Sequence, residues 1–156
     1  MLRYVNTDIV FQEVPDETTL AVNISGCPCH CKGCHSDYLW QDTGDELTTA
    51  VLDAFMKEYG YAITCISFQG GDGDPAAVNA LAAYMKKTYP EVKVSWYSGR
   101  ERLSNDIDKD NFDYIKLGPY IAECGGLKSK TTNQRMYRRK DNDFEDITSR
   151  FWRKNA

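Results

Sequence analysis

The sequence contains no apolar run of the roughly 18 residues that a bilayer-spanning helix requires. Its first residues, MLRYVNTDIV, also lack the basic start and apolar centre of a secretory signal. These two absences predict a cytoplasmic protein with no membrane partner.

Excess positive charge is absent as well. The chain has 19 Lys and Arg against 23 Asp and Glu, which gives a net charge of -4. A chain of this sign has no general attraction to phosphate backbones, so we expect no nucleic-acid partner. The 156 residues also lack internal repeats and any linker rich in Pro, Gly or Ser, and we expect residues 1–156 to form one domain.

Cysteine is too scarce for a disulfide scaffold, since six of 156 residues lie well below the roughly 8–10% typical of that class. Four of the six nevertheless fall within eight residues: Cys27, Cys29, Cys31 and Cys34. In a reducing compartment such crowding indicates a metal or cluster site before it indicates disulfides. The other two stand alone: we expect Cys65 to be unreactive in a buried strand, while Cys124 is either an unreactive loop cysteine or a peripheral thiol in a substrate channel.

Hydrophobic periodicity predicts strands that alternate with helices. Residues 48–59 are predicted to form a helix that Thr48 caps, and a second helix begins at Asp74-Pro75 and ends before Pro90. A short polar helix is expected over 100–108. The four predicted strands are 18–25, 62–68, 92–98 and 113–117, with possible edge strands in 2–14 and 134–139.

This strand, loop, helix order predicts an α/β fold with a mostly parallel sheet covered by helices. Each predicted strand leads into a segment rich in polar residues or glycine. The cysteine loop follows the first strand, Gly70-Gly71-Asp72 follows the second, Ser98-Gly99-Arg100 ends the third, and Gly118-Pro119-Tyr120 follows the fourth. Because the carboxyl ends of parallel strands meet at one edge, the sequence predicts a functional site there.

The spacing Cys27-x3-Cys31-x2-Cys34 lets three thiolates from one loop surround a compact cluster. Iron–sulfur clusters usually take four cysteines, so three leave one iron open to a substrate. A zinc site that also uses Cys29 is an alternative, although no second cysteine pair follows as in common structural zinc sites. A redox pair formed by Cys31 and Cys34 is another, but it leaves Cys27 without a role.

The CxxxCxxC loop resembles that of radical S-adenosylmethionine (SAM) enzymes, and GCPCHCKGCH is similar to the activating proteins of anaerobic ribonucleotide reductase, which are glycyl-radical-enzyme activases. Four further segments match that family in order: GGD at 70–72, YSG at 97–99, LGPY at 117–120 and TNQR at 132–135. Any one of these short matches is weak, but the ordered set is specific.

The resemblance implies an incomplete (β/α) barrel of the radical SAM type. It implies a 4Fe-4S cluster bound by Cys27, Cys31 and Cys34. It further implies that SAM is a cofactor, with its amino group near Asp72 and its carboxylate or ribose near Ser98. The residues that it assigns to the SAM site are Gly70, Gly71, Asp72, Ser98 and Asn133.

The activity implied by the resemblance is oxidoreductase chemistry. A low-potential donor such as flavodoxin or ferredoxin reduces the cluster, SAM is cleaved, and the resulting radical takes a hydrogen atom from a glycine of anaerobic ribonucleoside-triphosphate reductase. A radical SAM enzyme that acts on another protein or on a small molecule is an alternative. A zinc-binding module without catalysis is the alternative from another class.

For several side chains the sequence is compatible with two different roles. Cys29 is a bystander or an opportunistic ligand when iron is lost, while His30 and His35 either pack within the loop or donate to cluster sulfides. Residues 125–140 contain six Lys and Arg and no acid. That run is either a solvated face or the border of an opening where a partner docks.

Overall fold

A computed structural model of the chain describes residues 1–26 and 43–152. The described strands form one eight-stranded mixed sheet, in the order β3-β1-β2-β4-β5-β6-β7-β8. The strands are β1 (Arg3–Val10), β2 (Thr19–Ile24), β3 (Asp45–Glu46), β4 (Cys65–Gln69), β5 (Lys93–Tyr97), β6 (Tyr114–Leu117), β7 (Arg135–Lys140) and β8 (Asp143–Asp146). The helices are α1 (Thr49–Tyr59) and α2 (Pro75–Thr88), with short 3-10 segments at Lys109–Asn111 and Thr148–Trp152.

The centre of the sheet is parallel. Strands β2, β4, β5 and β6 pair side by side in the same direction, and they overlap the four strands that periodicity predicts. The register aligns residues near their carboxyl ends in one row across the sheet: Asn23, Gln69, Tyr97 and Lys116. The carboxyl ends of these four strands therefore meet at one edge, as the sequence predicts for the parallel part of the sheet.

The prediction of an incomplete (β/α) barrel with a mostly parallel sheet is wrong. Four of the seven pairings between described strands are antiparallel, and two α-helices are present in the described residues. Only eight residues, 11–18, separate β1 from β2, which is fewer than the dozen or more that a parallel crossover needs. At the other side, residues 141 and 142 alone join β7 to β8, so those strands form a hairpin.

The flanking strands were predicted only in part. The expected edge segment 2–14 contains β1, and 134–139 contains all of β7 except Lys140, but each strand lies one position inside the sheet because β3 and β8 add outside them. Asp141, with a φ of 57°, occupies the left-handed region that a two-residue hairpin turn requires. The Asp141-Asn142 pair, which joins two short strands, was the sequence signal that could have predicted β8. The two residues of β3 are too few to show a hydrophobic pattern.

Both main helices begin where the sequence predicts. The Thr48 hydroxyl accepts from the backbone N–H of Val51 at 3.3 Å, which caps α1. The Asp74 carboxylate accepts from Ala77 N–H at 3.2 Å, and Pro75 occupies the first turn of α2. These contacts satisfy backbone donors that the first turn of a helix leaves unpaired.

The polar helix expected over 100–108 is wrong, because that stretch forms turns. Its polar side chains bind nearby backbone instead. The Ser104 hydroxyl accepts from Asp106 N–H at 3.2 Å, and Asp108 N–H donates to the side chain of Asn79 at 2.8 Å. Such local bonds compete with the helical pattern and favour turns.

The two faces of the sheet differ. The helix face carries the main core, where alternate residues of the parallel strands, such as Val22, Phe68 and Trp96, pack with α1 and α2. The opposite face, here the second face, carries a smaller cluster: Val14, Cys65, Tyr114, Met136 and Ile147. Neither α1 nor α2 has the length and apolar character needed to cross a bilayer, and the other described residues add no such helix.

Candidate functional site

Two glycines turn the chain at the carboxyl end of β4. Gly70 and Gly71 have φ angles of 110° and 91°, in the region that side chains disfavour. A Cβ on Gly71 would lie 2.5 Å from Cγ2 of Val78, so helix α2 also excludes a side chain there. The turn places Asp72, which is 7% exposed, beside the end of β5.

The Asp72 carboxylate joins the ends of two parallel strands. Its Oδ1 accepts from the Ser98 hydroxyl at 2.5 Å, and its Oδ2 accepts from the backbone N–H of Gly99 at 2.8 Å. The Ser98 oxygen in turn accepts from Arg100 N–H at 3.1 Å. The structure therefore brings four of the residues predicted for the SAM site into one group: Gly70, Gly71, Asp72 and Ser98.

Lys116 extends this group to β6, and sequence reasoning did not select it. Its side chain is buried, and Nζ donates to the carbonyl oxygens of Ser98 at 3.1 Å and Gly118 at 2.7 Å. The ammonium also lies 5.8 Å from the centre of the Tyr97 ring. The available signal was a lysine inside the strand pattern DYIKL, since a lysine is rarely buried without specific partners.

Asn133 lies apart from the Asp72 group. Its Nδ2 donates to the carbonyl of Pro119 at 3.0 Å, while its Oδ1 is buried with no hydrogen-bond partner among the described residues. The side chain lines a small cavity of about 170 Å³ together with Glu101 and Tyr137. Of the residues predicted for SAM, Asn133 is therefore the one held by a different loop.

The cysteine segment enters and leaves the fold at the same edge. Cys27, Cys31 and Cys34, with Cys29, His30 and His35, lie outside the described residues. On either side of them, the Ser25 hydroxyl donates to the Thr43 carbonyl at 2.5 Å and accepts from Thr43 N–H at 3.2 Å. Both ends of the segment are thus fixed at the carboxyl end of β2.

The end of β2 also lies next to the glycine turn. A Cβ built on Gly73 would be 3.5 Å from the carbonyl oxygen of Gly26, and one on Gly70 would be 3.1 Å from that of Ile24. The Trp96 indole N–H donates to the Gly70 carbonyl at 2.7 Å, which fixes the turn from the other side. The segment that carries the cysteines and the Asp72 group therefore share one edge of the parallel strands.

Two larger cavities open near this edge. One, of about 500 Å³, is lined by Asp72, Ser98, Trp96 and the start of α2 at Pro75. The other, of about 550 Å³, lies on the second face and includes Tyr97 and Lys116. Burial raises the pKa of Tyr97, and its hydroxyl donates to the carbonyl of Glu13, so the phenol stays protonated at neutral pH.

The basic run between residues 125 and 140 is largely neutralised. Arg138 bonds Glu145 at 2.8 Å, and Lys140 lies 4.0 Å from the same carboxylate. Two more arginines pair with acids: Arg135 with Asp146 at 3.5 Å and Arg139 with Asp110 at 3.6 Å. These contacts favour the interpretation of β7 as a solvated face whose charges are paired mainly by β8.

Comparison with known proteins gives one family. The model of the family described as "4Fe-4S single cluster domain" matches residues 18–118. No curated protein and no solved structure matches the chain. The matched residues begin just before β2 and end just after β6, so they include the four parallel strands, the cysteine segment and the Asp72 group. They cover more than half of the 156 residues, and the chain belongs to the family of 4Fe-4S single cluster domains.

Proposed function

We propose that this protein is a radical SAM activase that binds a 4Fe-4S cluster through Cys27, Cys31 and Cys34. In this proposal it cleaves SAM reductively and generates a glycyl radical on anaerobic ribonucleoside-triphosphate reductase. One observation carries the proposal: both ends of the cysteine segment are fixed beside the buried carboxylate of Asp72, at one edge of the parallel strands.

The donor set suits such a cluster. Thiolates are the usual ligands of iron–sulfur clusters, and three of them leave one iron for a substrate. Cys65 is not available as a fourth ligand, because it is fully buried at the opposite end of β4. At about 3.3 Å per residue, roughly 13 Å separate it from Gln69 at the carboxyl end of that strand. The cluster ligands must therefore come from the segment itself or from a loop at this edge.

Asp72 is the residue we assign to the amino group of SAM. A carboxylate accepts hydrogen bonds from an ammonium strongly, and the bonds from Ser98 and Gly99 fix its orientation. Gly70 and Gly71 adopt the positive φ angles that turn the chain at the end of β4 and so place Asp72 at this edge. A 4Fe-4S cluster held by Cys27, Cys31 and Cys34 would supply the electron for the reductive cleavage of SAM, while Asp72 would hold the amino group of SAM.

Ser98 takes a positioning role in this proposal. Its hydroxyl hydrogen is directed to Asp72, and its oxygen accepts from Arg100 N–H. Lys116 of β6 donates through Nζ to the carbonyl oxygen of Ser98, so the ends of β5 and β6 are held together. Orientation of this kind lowers the cost of reaching a reactive geometry.

The electron donor and the protein substrate are proposals from the family resemblance. A low-potential donor such as flavodoxin or ferredoxin supplies one electron for each SAM that is cleaved. In this proposal a glycine of the reductase would lose a hydrogen atom and become the glycyl radical. The fragment of SAM that takes the hydrogen atom would leave as 5′-deoxyadenosine.

The deciding experiment is EPR spectroscopy on the anaerobically reconstituted, dithionite-reduced protein, with and without SAM, followed by an assay for 5′-deoxyadenosine. We expect a cluster signal that SAM perturbs. The Cys31→Ala variant should lose both the signal and the product. Cys65→Ala is the matched control, because it removes a thiol that lies at the other end of β4, away from the cysteine segment.

Other outcomes separate the alternatives. A colourless protein that holds zinc and gives no cluster signal contradicts the proposal and indicates a binding module. SAM cleavage without a glycyl radical on the reductase indicates a different protein or small-molecule substrate. Addition of the reductase followed by a search for the glycyl radical doublet distinguishes these two results.

A further inference from the structure

A small cavity of about 170 Å³ lies where β6 ends and β7 begins, and it is lined by Glu101, Leu117, Gly118, Asn133, Arg135 and Tyr137. In the register of the two strands, Leu117 pairs with Arg135 and Ile115 pairs with Tyr137, which places these side chains on the helix face. The cavity shares no lining residue with the larger one on the second face, and it shares only Glu101 with the one beside Asp72. It is therefore a separate feature of the fold.

Gly118 brings the two strand ends together at this small cavity. Its φ of 112° lies in the region that side chains disfavour. A Cβ there would be 3.1 Å from Cα of Gln134 and 3.4 Å from the carbonyl oxygen of Asn133. The Asn133 side chain is fixed by the bond from its Nδ2 to the Pro119 carbonyl. The chain around Gly118 thus holds the Asn133 amide at the cavity in one orientation.

Two acceptors at the cavity have no donor among the described residues. Asn133 Oδ1 is buried without a partner, although a buried amide oxygen normally accepts a hydrogen bond. The Glu101 carboxylate makes neither an ion pair nor a hydrogen bond with any residue of 1–26 or 43–152. An amide oxygen together with such a carboxylate favours a ligand group that carries several N–H donors and a positive charge, as a primary ammonium does.

The third polar group of the cavity is a cation. Arg135 pairs with Asp146 at 3.5 Å, but the two side chains are 43% and 42% exposed. One such contact engages few of the five N–H donors of a guanidinium. The remaining donors suit a carboxylate, which arginine binds through two parallel hydrogen bonds. The cavity therefore offers acceptors for an ammonium and donors for a carboxylate.

The size and the apolar part of the lining restrict the rest of the ligand. A cavity of about 150 Å³ is large enough for one benzene molecule. The small cavity, at about 170 Å³, therefore holds a molecule of similar size and is too small for a nucleotide. Leu117 and the Tyr137 ring supply apolar contact area. A molecule with an ammonium, a carboxylate and a short aliphatic side chain meets all of these conditions.

We propose that this cavity binds a free aliphatic α-amino acid of the size of valine or leucine. Glu101 and Asn133 Oδ1 accept from its ammonium, and Arg135 donates to its carboxylate. The inference does not depend on the proposed function, since neither Asp72 nor Ser98 lines the cavity. It also gives Asn133 a ligand other than SAM, in agreement with its position apart from the Asp72 group.

Isothermal titration calorimetry of the full-length protein with L-leucine tests the site. Leucine should bind one to one, and about tenfold more tightly than isoamylamine, which lacks its carboxylate, or isocaproate, which lacks its ammonium. Glu101→Gln should weaken leucine and isoamylamine about tenfold but not isocaproate, and Arg135→Gln should weaken leucine and isocaproate but not isoamylamine. The matched controls are Glu91→Gln and Lys130→Gln, which change exposed charges that do not line the cavity and should leave binding as in the wild type.

Competition with SAM separates this site from the proposed one. An affinity for leucine that saturating SAM leaves unchanged supports a separate site, whereas displacement of leucine by SAM overturns it. Absence of leucine binding in the wild type, equal affinity for the three compounds, or unchanged affinity in both lining variants also overturns the proposal. None of these measurements uses SAM cleavage, so the proposed function and this site can fail separately.

Discussion

Two buried carboxylates lie at opposite ends of the same parallel strands. Asp72, at the carboxyl edge, accepts from the Ser98 hydroxyl and a backbone N–H in a glycine-rich turn. The carboxylate of Glu17, at the amino edge, accepts from three side chains: Thr64 Oγ1 at 2.9 Å, Tyr114 Oη at 3.0 Å and Lys93 Nζ at 3.2 Å. Both are less than a tenth exposed.

Their surroundings differ more than their hydrogen bonds. Asp72 lines a cavity of about 500 Å³ beside strained glycines. The partners of Glu17 include Tyr114, which belongs to the packed cluster that also contains Cys65 and Met136. Burial and the charge of Glu17 raise the pKa of the Tyr114 phenol, which keeps it a donor. The amino edge therefore holds its carboxylate among packed side chains, whereas the carboxyl edge holds its carboxylate next to a cavity.

Thiol labelling tests the packed edge and has the largest expected effect. Burial, followed by the charge of Glu17, raises the pKa of Cys65, and the thiolate is the form that reacts. We expect iodoacetamide to label Cys65 roughly a thousandfold more slowly than Cys124 in the native protein. Peptide mapping by mass spectrometry gives both rates, and denaturing urea should abolish the difference. Equal rates in the native protein would show that the amino edge is open.

Removing the charge at the open edge tests its function. Asp72→Asn keeps the size of the side chain but removes the carboxylate, so the ammonium of SAM loses a charge-assisted bond. We expect about a hundredfold less 5′-deoxyadenosine at low SAM concentration, with the cluster retained. Ser98→Ala should have a smaller effect, since it only loosens Asp72. Unchanged SAM dependence in Asp72→Asn would remove this residue from the site.

The matching change at the amino edge should act on stability. Glu17→Gln removes the charge that Lys93 and the Tyr114 hydroxyl share, and we expect the free energy of unfolding to fall by about 2 kcal/mol. Urea titration of the cluster-free protein measures it. SAM cleavage per folded molecule should not change. A loss of cleavage with normal stability would reverse the roles assigned to the two edges.

A partly buried carboxylate, Asp53, provides the smallest effect. Tyr84 and Tyr89 each donate to Asp53 at 2.7 Å, and these bonds lower the pKa of Asp53. A lowered pKa in the folded state contributes stability above the unfolded value near 3.9, and this contribution is lost as the pH falls through the folded pKa. Asp53→Asn should therefore lower the urea midpoint at pH 7, by less than Glu17→Gln, and the difference should shrink as the pH falls through the folded pKa of Asp53. A difference that persists in acid would contradict this sign.

The sequence predicted the parallel centre better than the flanks. Alternating Leu20, Val22 and Ile24 predicted β2, and the caps Thr48 and Asp74 predicted both helix starts. The barrel was wrong because strand direction depends on how far a connection can reach, and residues 11–18 are too few for a crossover. Periodicity within a strand carries no information on that direction.

The residues of the candidate site were also selected from the sequence only in part. Glycine turns after β4 and a serine after β5 identify Gly70, Gly71, Asp72 and Ser98, and the structure joins them through hydrogen bonds and a shared turn. Lys116 was missed because its partners are backbone carbonyls of other loops, which no local pattern encodes. The cavity of about 550 Å³ on the second face was not predicted for the same reason, since two of the residues that line it, Gln12 and Lys128, lie 116 positions apart.

By itself the sequence determined the cysteine spacing, the periods of the main strands and helices, and the chemistry of the residues at the carboxyl edge, because these depend on side-chain type and on neighbours in the chain. The tertiary structure alone decided the antiparallel flanks, the pairing of basic residues in β7 with acids of β8, and the different surroundings of Asp72 and Glu17. Those features depend on which distant segments meet. Burial, and with it the strength of each charge and hydrogen bond, is set only when they do.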